Sequence, residues 1–417
     1  MKSITLKGSN KLQGSVNVSG SKNAALPCIS AALLTKKPVL LRNIPNISDV
    51  KMMIAILKDI GVDITYSRKT KEMRINSNDF DSELPKITST IRGSTLLLGS
   101  ILAINKEVIF YNFGGCDIGN RPIDIHLKGF RKLGVKSIKN KNKNVLESEK
   151  LKANKIKLRF PSVGATENLI LIASKATGKT IIKNAAVEPE ILDLINMLKK
   201  MGVTINCYLK TRQIMIKGMQ NLKGVKHKII PDRIEAGTYI IAGAITKSNI
   251  VIKSIISTYL TKFLEIIKKI GIEINVYDNK IHIFGKDNTT LNPIKVETNI
   301  YPGFPTDLQP ILMTLLTQIN GTSIIKENVW KDRFHHVKEL KKMGAEITIN
   351  KNIARIHGHT PLKGTNVICT NIRGGAALLI AAIKAKGESK LLNPKHILRG
   401  YENIFFKLKN LGVNLES

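Results

Sequence analysis

Lys199-Lys200-Met201-Gly202-Val203-Thr204-Ile205 is the stretch that decides the fold, because variants of it occur six times along the 417-residue chain. Each copy joins the lysine-rich end of a helical pattern, through a glycine, to an apolar or alternating segment typical of a strand. The glycine suits the left-handed residue that ends many helices, and the lysines suit the negative end of the helix dipole. The six glycines are Gly61, Gly134, Gly202, Gly271, Gly344 and Gly412, separated by 73, 68, 69, 73 and 68 residues.

A second helical pattern, rich in small apolar residues, lies upstream of each glycine and is followed by a strand. Ala165 to Ala176, for example, precedes Thr180-Ile181-Ile182. Small side chains let helices pack closely, so these helices are predicted to be buried, with the lysine-rich helices outside them. Each unit is expected to contain a strand, a buried helix, a strand, an outer helix and a strand. The other buried helices are predicted over Ala24 to Leu34, Gly93 to Ile104, Ala236 to Ile245, Leu308 to Ile319 and Gly374 to Ala385.

Six units predict two α/β domains of three units each. The first domain is expected over residues 22–231 and the second over residues 232–417. The segment from Ile4 to Val18 reads as a pair of strands outside this repeat, and the last unit stops just after its glycine. Residues 1–21 are therefore predicted to complete the second domain.

The composition argues against some classes of protein. The net charge is +35, but the lysines recur along the whole chain and only 5% of residues are aromatic. A basic nucleic-acid-binding protein would gather its cations on one face with stacking aromatics, so nucleic acid is not the expected partner. Four widely separated cysteines indicate neither a zinc site nor a disulfide framework. The sequence has neither a signal peptide nor an apolar run of membrane-spanning length, which favours the cytoplasm and no membrane.

One loop carries a candidate reactive thiol. Phe113-Gly114-Gly115-Cys116-Asp117-Ile118-Gly119-Asn120-Arg121-Pro122 follows a predicted strand and precedes a predicted helix. A nearby cation lowers the pKa of a thiol and so favours the reactive thiolate. On this stretch alone, a half-buried cysteine without a chemical role is the better reading of Cys116.

Polar residues recur where the buried helices begin. Lys22 lies in a Gly/Ser turn before an Ala-rich helix, where it would either bind an anion or be a solvated residue beside a plain cap. Asp307 is either an ion-pair partner or a general base for a hydroxyl. His335, His336, His357 and His359 lack a suitable metal-ligand spacing and are expected at the surface. Five arginines in these loops predict a site for a substrate with several negative charges: Arg92, Arg121, Arg333, Arg373 and Arg399.

These motifs resemble the UDP-N-acetylglucosamine 1-carboxyvinyltransferases, the enolpyruvyl transferases that begin peptidoglycan precursor synthesis for the cell wall. The resemblance covers essentially the whole chain and implies two inside-out α/β barrel domains. The motifs that carry it are Gly14 to Ala25, Gly114 to His126, Ser162 to Thr166, Glu188-Pro189-Glu190, Pro231 to Gly237, Phe304 to Gln309, Arg333 to Met343 and Arg399-Gly400-Tyr401.

The resemblance implies a reaction between phosphoenolpyruvate and UDP-N-acetylglucosamine, without a metal or an organic cofactor. Cys116 would protonate the phosphoenolpyruvate methylene and form a covalent adduct, and Asp307 would take the proton of the sugar 3-hydroxyl. Lys22, Arg121 and Arg399 would hold the phosphate and carboxylate, and Asn23 would position the sugar. Arg333 and Arg373 would help to enclose the anions. The nucleotide sugar would contact Arg92, Arg121, Pro122, Ile123, Asp124, Ile125, Ser162, Val163 and Val329.

The sequence departs from this pattern at three positions and leaves alternatives open. Asn371 stands where many relatives have aspartate, and Phe160 and Leu398 also differ from common residues. The nearest rival activity is enolpyruvyl transfer to shikimate 3-phosphate, against which the loop around Cys116 argues. A basic nucleic-acid-binding protein of similar repeat fold and an inactive relative are further alternatives. The sequence leaves the oligomeric state open and is compatible with a monomer.

Overall fold

The computed structural model describes residues 2–8, 11–111, 113, 122–139, 143–285, 291–330 and 332–416. The chain forms two compact units. The N-terminal unit contains the described residues of Gly20–Gly115 and Asn120–Ile230, and the C-terminal unit contains Pro231–Ser417 together with Met1–Ser19. Within the described ranges, none of the helices combines the length and apolar character needed to cross a membrane.

Two short strands, β1 (Ser3–Lys7) and β2 (Gln13–Asn17), open the chain. The helices of the N-terminal unit are α1 (Lys22–Ala31), α2 (Ser48–Asp59), α3 (Leu97–Asn105), α4 (Asp124–Lys132), α5 (Val163–Ala173) and α6 (Pro189–Lys200). Its strands are β3 (Val39–Arg42), β4 (Asp63–Ser67), β5 (Glu72–Asn76), β6 (Glu107–Phe110), β7 (Lys136–Lys139), β8 (Asn144–Glu147), β9 (Lys155–Lys157), β10 (Lys179–Lys183), β11 (Thr204–Tyr208), β12 (Gln213–Lys217) and β13 (Val225–Lys228).

The C-terminal unit repeats this pattern. Its helices are α7 (Arg233–Ile245), α8 (Thr261–Ile270), α9 (Gln309–Leu316), α10 (Val337–Lys342), α11 (Ile372–Lys384) and α12 (Ile404–Asn410). Its further strands are β14 (Asn249–Lys253), β15 (Glu273–Val276), β16 (Lys280–Phe284), β17 (Lys295–Glu297), β18 (Gly321–Lys326), β19 (Glu346–Asn350), β20 (Ile353–Gly358), β21 (Asn366–Ile368), β22 (Glu388–Leu392) and β23 (Asn414–Glu416).

The predicted mixed α/β repeat is confirmed. The odd-numbered helices are the buried ones: every residue of α9 and all but Arg233 of α7 are buried. The even-numbered helices end before the six predicted glycines, whose φ angles lie between 94° and 107°. A side chain is strained at such a φ, which explains why glycine recurs at this point of each repeat.

The strands differ from the prediction in one respect. After its outer helix, a repeat has an antiparallel hairpin of two strands instead of the single strand that was predicted. In the third repeat β9 and β10 are parallel and flank α5, whereas β11 and β12 form an antiparallel hairpin beside β10. Within the described residues the strands form six open sheets of three or four strands, and no sheet closes into a β-barrel.

The chain segments that complete the sheets come from distant parts of the sequence. Strand β1 lies between β22 and β23, and β2 pairs in parallel with β14, so both opening strands join sheets of the C-terminal unit. In the N-terminal unit, β13 pairs in parallel with β3. Each unit encloses its own core of mainly aliphatic side chains, supplied by the odd-numbered helices and the inner sheet faces.

Candidate functional site

Asp307 is the centre of a cluster of charges in the C-terminal unit. It lies in the short helical turn Thr306–Leu308 that leads into α9. Oδ1 of Asp307 is 2.6 Å from Nη2 of Arg333, and Oδ2 is 3.0 Å from Nη2 of Arg373. The two arginine side chains are 4% and 6% exposed, whereas that of Asp307 is 29% exposed. Of the two roles foreseen for Asp307, the structure therefore shows the ion pair.

The two arginines determine the basicity of Asp307. Burial on its own raises the pKa of Asp307, but the charges of Arg373 and Arg333 outweigh it and hold that pKa well below its usual range. A carboxylate with so low a pKa is ionised at neutral pH and accepts a proton poorly.

Arg373 has a second contact besides Asp307. It is the second residue of α11, and its guanidinium carbon lies 5.2 Å from the centre of the Tyr401 ring. The Tyr401 hydroxyl is 2.9 Å from Oγ1 of Thr238. A cation over an aromatic face is attracted by the ring quadrupole, so Tyr401 helps to fix Arg373. Asn371, one of the departures noted above, caps α11 by accepting a hydrogen bond from the Gly374 N–H at 2.8 Å.

Glu327 organises the loop that contains Val329. Its Oε1 accepts hydrogen bonds from the N–H groups of Val329 and Trp330, at 2.8 and 3.1 Å, and its Oε2 accepts one from Thr306 beside Asp307, at 3.0 Å. Glu327 is 2% exposed. The sequence interpretation missed this residue; an acidic residue directly after a strand of a lysine-rich chain is the only local signal for it.

Arg399 is the last residue of the helical turn Pro394–Arg399 and is half-buried. The segment after it is fixed by buried polar contacts within the same unit. Glu402 accepts a hydrogen bond from the Ser19 hydroxyl at 2.5 Å, and the Ser19 N–H donates to Glu235 at 2.9 Å. Lys407 donates to both Ser19 and Glu235 at 2.6 Å. These contacts restrict the backbone that presents Arg399.

Lys22 is the first residue of α1 in the N-terminal unit and is not a solvated lysine. Its Nζ lies 2.6 Å from Oδ2 of Asp49, and the two side chains are 14% and 3% exposed. Ser21 at the N-cap makes no side-chain capping bond, and Asn23 is half-buried beside Lys22. The sequence interpretation missed Asp49, because only the tertiary fold brings α2 to the start of α1.

Apart from Val329, which belongs to the C-terminal unit, the described residues predicted for the nucleotide sugar lie in three segments of the N-terminal unit. Nη2 of Arg92 donates to the carbonyl of Pro122 at 3.3 Å. Asp124, the first residue of α4, pairs with Nη2 of Arg159 at 2.8 Å. Ser162 caps α5 by accepting from the Ala165 N–H at 3.4 Å. Half-buried apolar side chains pack beside these groups on the core of the unit: Ile123, Ile125 and Val163.

Two predicted residues, Cys116 and Arg121, lie outside the described residues. Among the histidines, His336 differs from the expectation of a surface residue: it is 2% exposed, and burial together with Arg333 lowers its pKa to about 3. His336 directly precedes α10 at its N-cap position and packs against Gly374 of α11.

One group of side chains in the described ranges has an arrangement suited to a metal: Cys28, Asp193 and His227, all buried. Nε2 of His227 lies 3.0 Å from Oδ1 of Asp193, so these two side chains are hydrogen-bonded to each other. Burial, with Asp193 and Glu167 adding to it, raises the pKa of the Cys28 thiol well above its ordinary value. The hydrogen bond between His227 and Asp193 and the burial of all three side chains fit a polar contact within the core.

The fold is that of the enolpyruvyl transferases. The enolpyruvyl transferase NikO from Streptomyces tendae superposes with a TM-score of 0.91 over 99% of this chain and 98% of that one, at 23% identity. An EPSP synthase from Acinetobacter baumannii superposes with a TM-score of 0.77 over 100% and 99% of the two chains, at 18% identity. At such identities the likeness shows the fold alone.

The chain belongs to the EPSP synthase (3-phosphoshikimate 1-carboxyvinyltransferase) family, whose model matches residues 6–408. A relative from Carboxydothermus hydrogenoformans is 43% identical over 100% of this chain and 98% of its own length. Another from Elusimicrobium minutum is 42% identical, again over 100% and 98% of the two lengths. Both relatives are named UDP-N-acetylglucosamine 1-carboxyvinyltransferase.

Proposed function

We propose that this chain transfers the enolpyruvyl group of phosphoenolpyruvate to the 3-hydroxyl of UDP-N-acetylglucosamine and releases phosphate. The observation that carries the proposal is identity of 42–43% over the whole chain with relatives named for this reaction. The product would enter peptidoglycan precursor synthesis, and the reaction would take place in the cytoplasm. The domains would be residues 22–231 and 232–417, with residues 1–21 completing the second; the pairing of β1 and β2 with strands of the C-terminal unit supports this division.

The reaction is an addition followed by an elimination. Cys116 donates a proton to the methylene carbon of phosphoenolpyruvate while the sugar 3-oxygen bonds to its central carbon, and Asp307 takes the hydroxyl proton. The resulting tetrahedral ketal then loses phosphate together with a proton from its new methyl group. The sum of the two steps is one enol ether and one phosphate. Each step moves a proton at a positioned side chain and needs no redox partner.

The arginines would serve both binding and proton transfer. Lys22, Arg121 and Arg399 bind the phosphate and carboxylate of phosphoenolpyruvate, because guanidinium and ammonium groups pair well with such anions. Arg333 and Arg373 are in contact with Asp307 in this structure, and a bound anion would compete with Asp307 for them. Arrival of the substrate anions would then raise the pKa of Asp307 just when a base is required.

The same transfer to shikimate 3-phosphate is the second candidate, because the matching family model is named for that reaction. Phosphate release distinguishes the two. We expect release from phosphoenolpyruvate with UDP-N-acetylglucosamine and none with shikimate 3-phosphate. The reverse pattern would refute the proposal. Turnover that persists in a chelator would agree with a reaction that needs no metal.

A further inference from the structure

Asn168 lies within α5 and is fully buried, and both ends of its side-chain amide are engaged. Its Oδ1 accepts a hydrogen bond from the Gly99 N–H at 2.8 Å. Its Nδ2 donates to the carbonyls of Thr95 and Gly164, at 3.1 and 3.2 Å, and lies 3.0 Å from Nδ1 of His126. One side chain thus joins α5 to the segment before α3 and to α4.

The side-chain amide of Asn168 makes the hydrogen bonds with α3 that a backbone peptide group would make. Thr95 and Gly99 are four residues apart, and in a regular α-helix the carbonyl of the first would accept from the N–H of the second. The amide of Asn168 accepts from that N–H and donates to that carbonyl. It does so where the helical turn Arg92–Leu96 passes into α3. A Cβ on Gly99 would come within 2.9 Å of Oδ1 of Asn168, so a glycine is required there for this approach.

These partners also define the hydrogen positions on His126. Because an N–H faces one end of the Asn168 amide and two carbonyls face the other, the oxygen and nitrogen of the amide are distinguished. The Asn168 nitrogen has two hydrogens for these three neighbours, so one N–H is shared, and it cannot accept a hydrogen bond itself. Nδ1 of His126 therefore fits the acceptor role, which places the proton of a neutral imidazole on Nε2. The ring is 4% exposed and lies against α5, where a Cβ on Gly164 would meet Cε1 at 3.4 Å and Nε2 at 3.7 Å.

The three segments that Asn168 joins are those that carry the residues proposed for the nucleotide sugar. Arg92 lies three residues before Thr95, Val163 directly precedes Gly164, and Ile125 directly precedes His126. Displacement of any one segment would move its substrate-binding residues relative to the others. Binding groups held in the correct mutual positions lose less freedom when the ligand binds.

We propose that Asn168 is a positioning residue for the nucleotide-sugar site, holding the segments that carry Arg92, Val163 and Ile125 in register and keeping His126 in its Nε2–H form. The inference rests on the proposed function. Asn168 acts through its neighbours and does not contact the substrate itself. Its loss should therefore weaken nucleotide-sugar binding more than it weakens phosphoenolpyruvate binding.

The test uses Asn168→Leu, which removes every polar contact and keeps the number of side-chain heavy atoms, and Asn168→Asp, which keeps the acceptor and removes the donor. Leu171→Ala is the control, because Leu171 is fully buried on the same helix and its apolar side chain forms no hydrogen bond. For Asn168→Leu we expect KM for UDP-N-acetylglucosamine to rise about tenfold or more, because buried partners lose their hydrogen bonds. KM for phosphoenolpyruvate and kcat should stay close to their wild-type values. Leu171→Ala should lower stability without this change in KM.

A second measurement does not depend on activity. NMR of nitrogen-labelled histidine in the full chain should show the Nε2–H form of His126 in the wild type. In Asn168→Asp it should show the Nδ1–H form, because a carboxylate accepts a hydrogen bond from the ring. An Nδ1–H form in the wild type would overturn the positioning role of Asn168, and so would an equal rise in KM in Asn168→Leu and Leu171→Ala. Neither result would bear on the proposed function. A wild-type chain that does not use UDP-N-acetylglucosamine would instead refute the proposed function.

Discussion

Replacing Asp307 with asparagine is expected to destabilise the protein strongly, because it leaves two buried cations without their shared anion. The side chains of Arg333 and Arg373 are only 4% and 6% exposed. Removing one partner of a buried ion pair costs about 3–5 kcal/mol. Asp307 itself is 29% exposed, so solvent already screens part of the interaction and we expect about 3 kcal/mol, the lower end of that range.

Urea unfolding of the full chain measures this loss, with Glu297→Gln as the control. Glu297 pairs with Lys326 at 3.6 Å, and the two side chains are 61% and 42% exposed. A pair so exposed contributes about 0–1 kcal/mol, so the control removes the same negative charge at little cost. Comparable unfolding midpoints for Asp307→Asn and Glu297→Gln would contradict the assignment of a buried charge cluster.

The pH dependence gives a second test of the same variant. The pKa of Asp307 is lower in the folded chain than in the unfolded chain, so its contribution to the free energy of unfolding is fully present above the unfolded pKa of about 3.9. The contribution is lost as the pH falls below that value towards the folded pKa. The stability difference between wild type and Asp307→Asn should therefore shrink below about pH 4. A difference that stays constant with pH would refute the reasoning.

Three further substitutions test other parts of the structure. Gly202→Ala should cost roughly 1 kcal/mol in urea unfolding, because alanine is strained at the φ of 107°, and an unchanged midpoint would contradict this. Glu327→Gln should cost about 1–3 kcal/mol and raise KM for the nucleotide sugar, because the amide nitrogen that replaces one carboxylate oxygen cannot accept a hydrogen bond, so that either Thr306 or the Val329 loop loses its acceptor. An unaltered KM in steady-state kinetics would contradict this. Asp49→Asn should raise KM for phosphoenolpyruvate, because Lys22 loses the ion-pair partner that orients it. An unchanged KM in steady-state kinetics would mean that the orientation of Lys22 does not affect binding of that substrate.

The repeat could be predicted because its signals are local. A glycine such as Gly202 after a lysine-rich helix indicates a left-handed helix end without knowledge of any distant residue. The density of small side chains likewise marks α7 and α11 as buried. The hairpins and the sheet order could not be obtained in this way. The placement of β1 between β22 and β23 joins opposite ends of the chain, and no local pattern reports such a pairing.

In the candidate site, too, residues with a local sequence signal could be predicted, whereas residues defined by tertiary contacts could not. Lys22, Asp307 and Arg373 were selected as charged residues where buried helices begin, and the structure places each of them there. Two buried carboxylates, Asp49 beside Lys22 and Glu327 beside the Val329 loop, could not be selected, because a buried carboxylate cannot be distinguished in sequence from a surface one. Only packing reveals that each satisfies donors on another element, at distances such as the 2.6 Å between Lys22 and Asp49.

The contact of Asp307 with two arginines implies a measurable property of the reaction itself. A base must be ionised, so turnover should fall as the pH drops through the pKa of Asp307 in the enzyme–substrate complex. Each arginine that remains near Asp307 stabilises the ionised form and moves this acid limb to lower pH. A neighbouring arginine typically lowers the pKa of an aspartate by about 1–3 units.

Arg333→Gln should therefore move the acid limb of kcat upward by about one unit, because Arg373 remains to stabilise the ionised carboxylate. Arg355→Gln is the matched control: Arg355 lies exposed on β20, and its loss changes the net charge equally without removing a contact of Asp307. Equal shifts in the two variants would indicate an effect of net charge alone. An acid limb that does not move in Arg333→Gln would mean that Arg333 leaves Asp307 completely before proton transfer, so that Arg373 alone sets the basicity of Asp307.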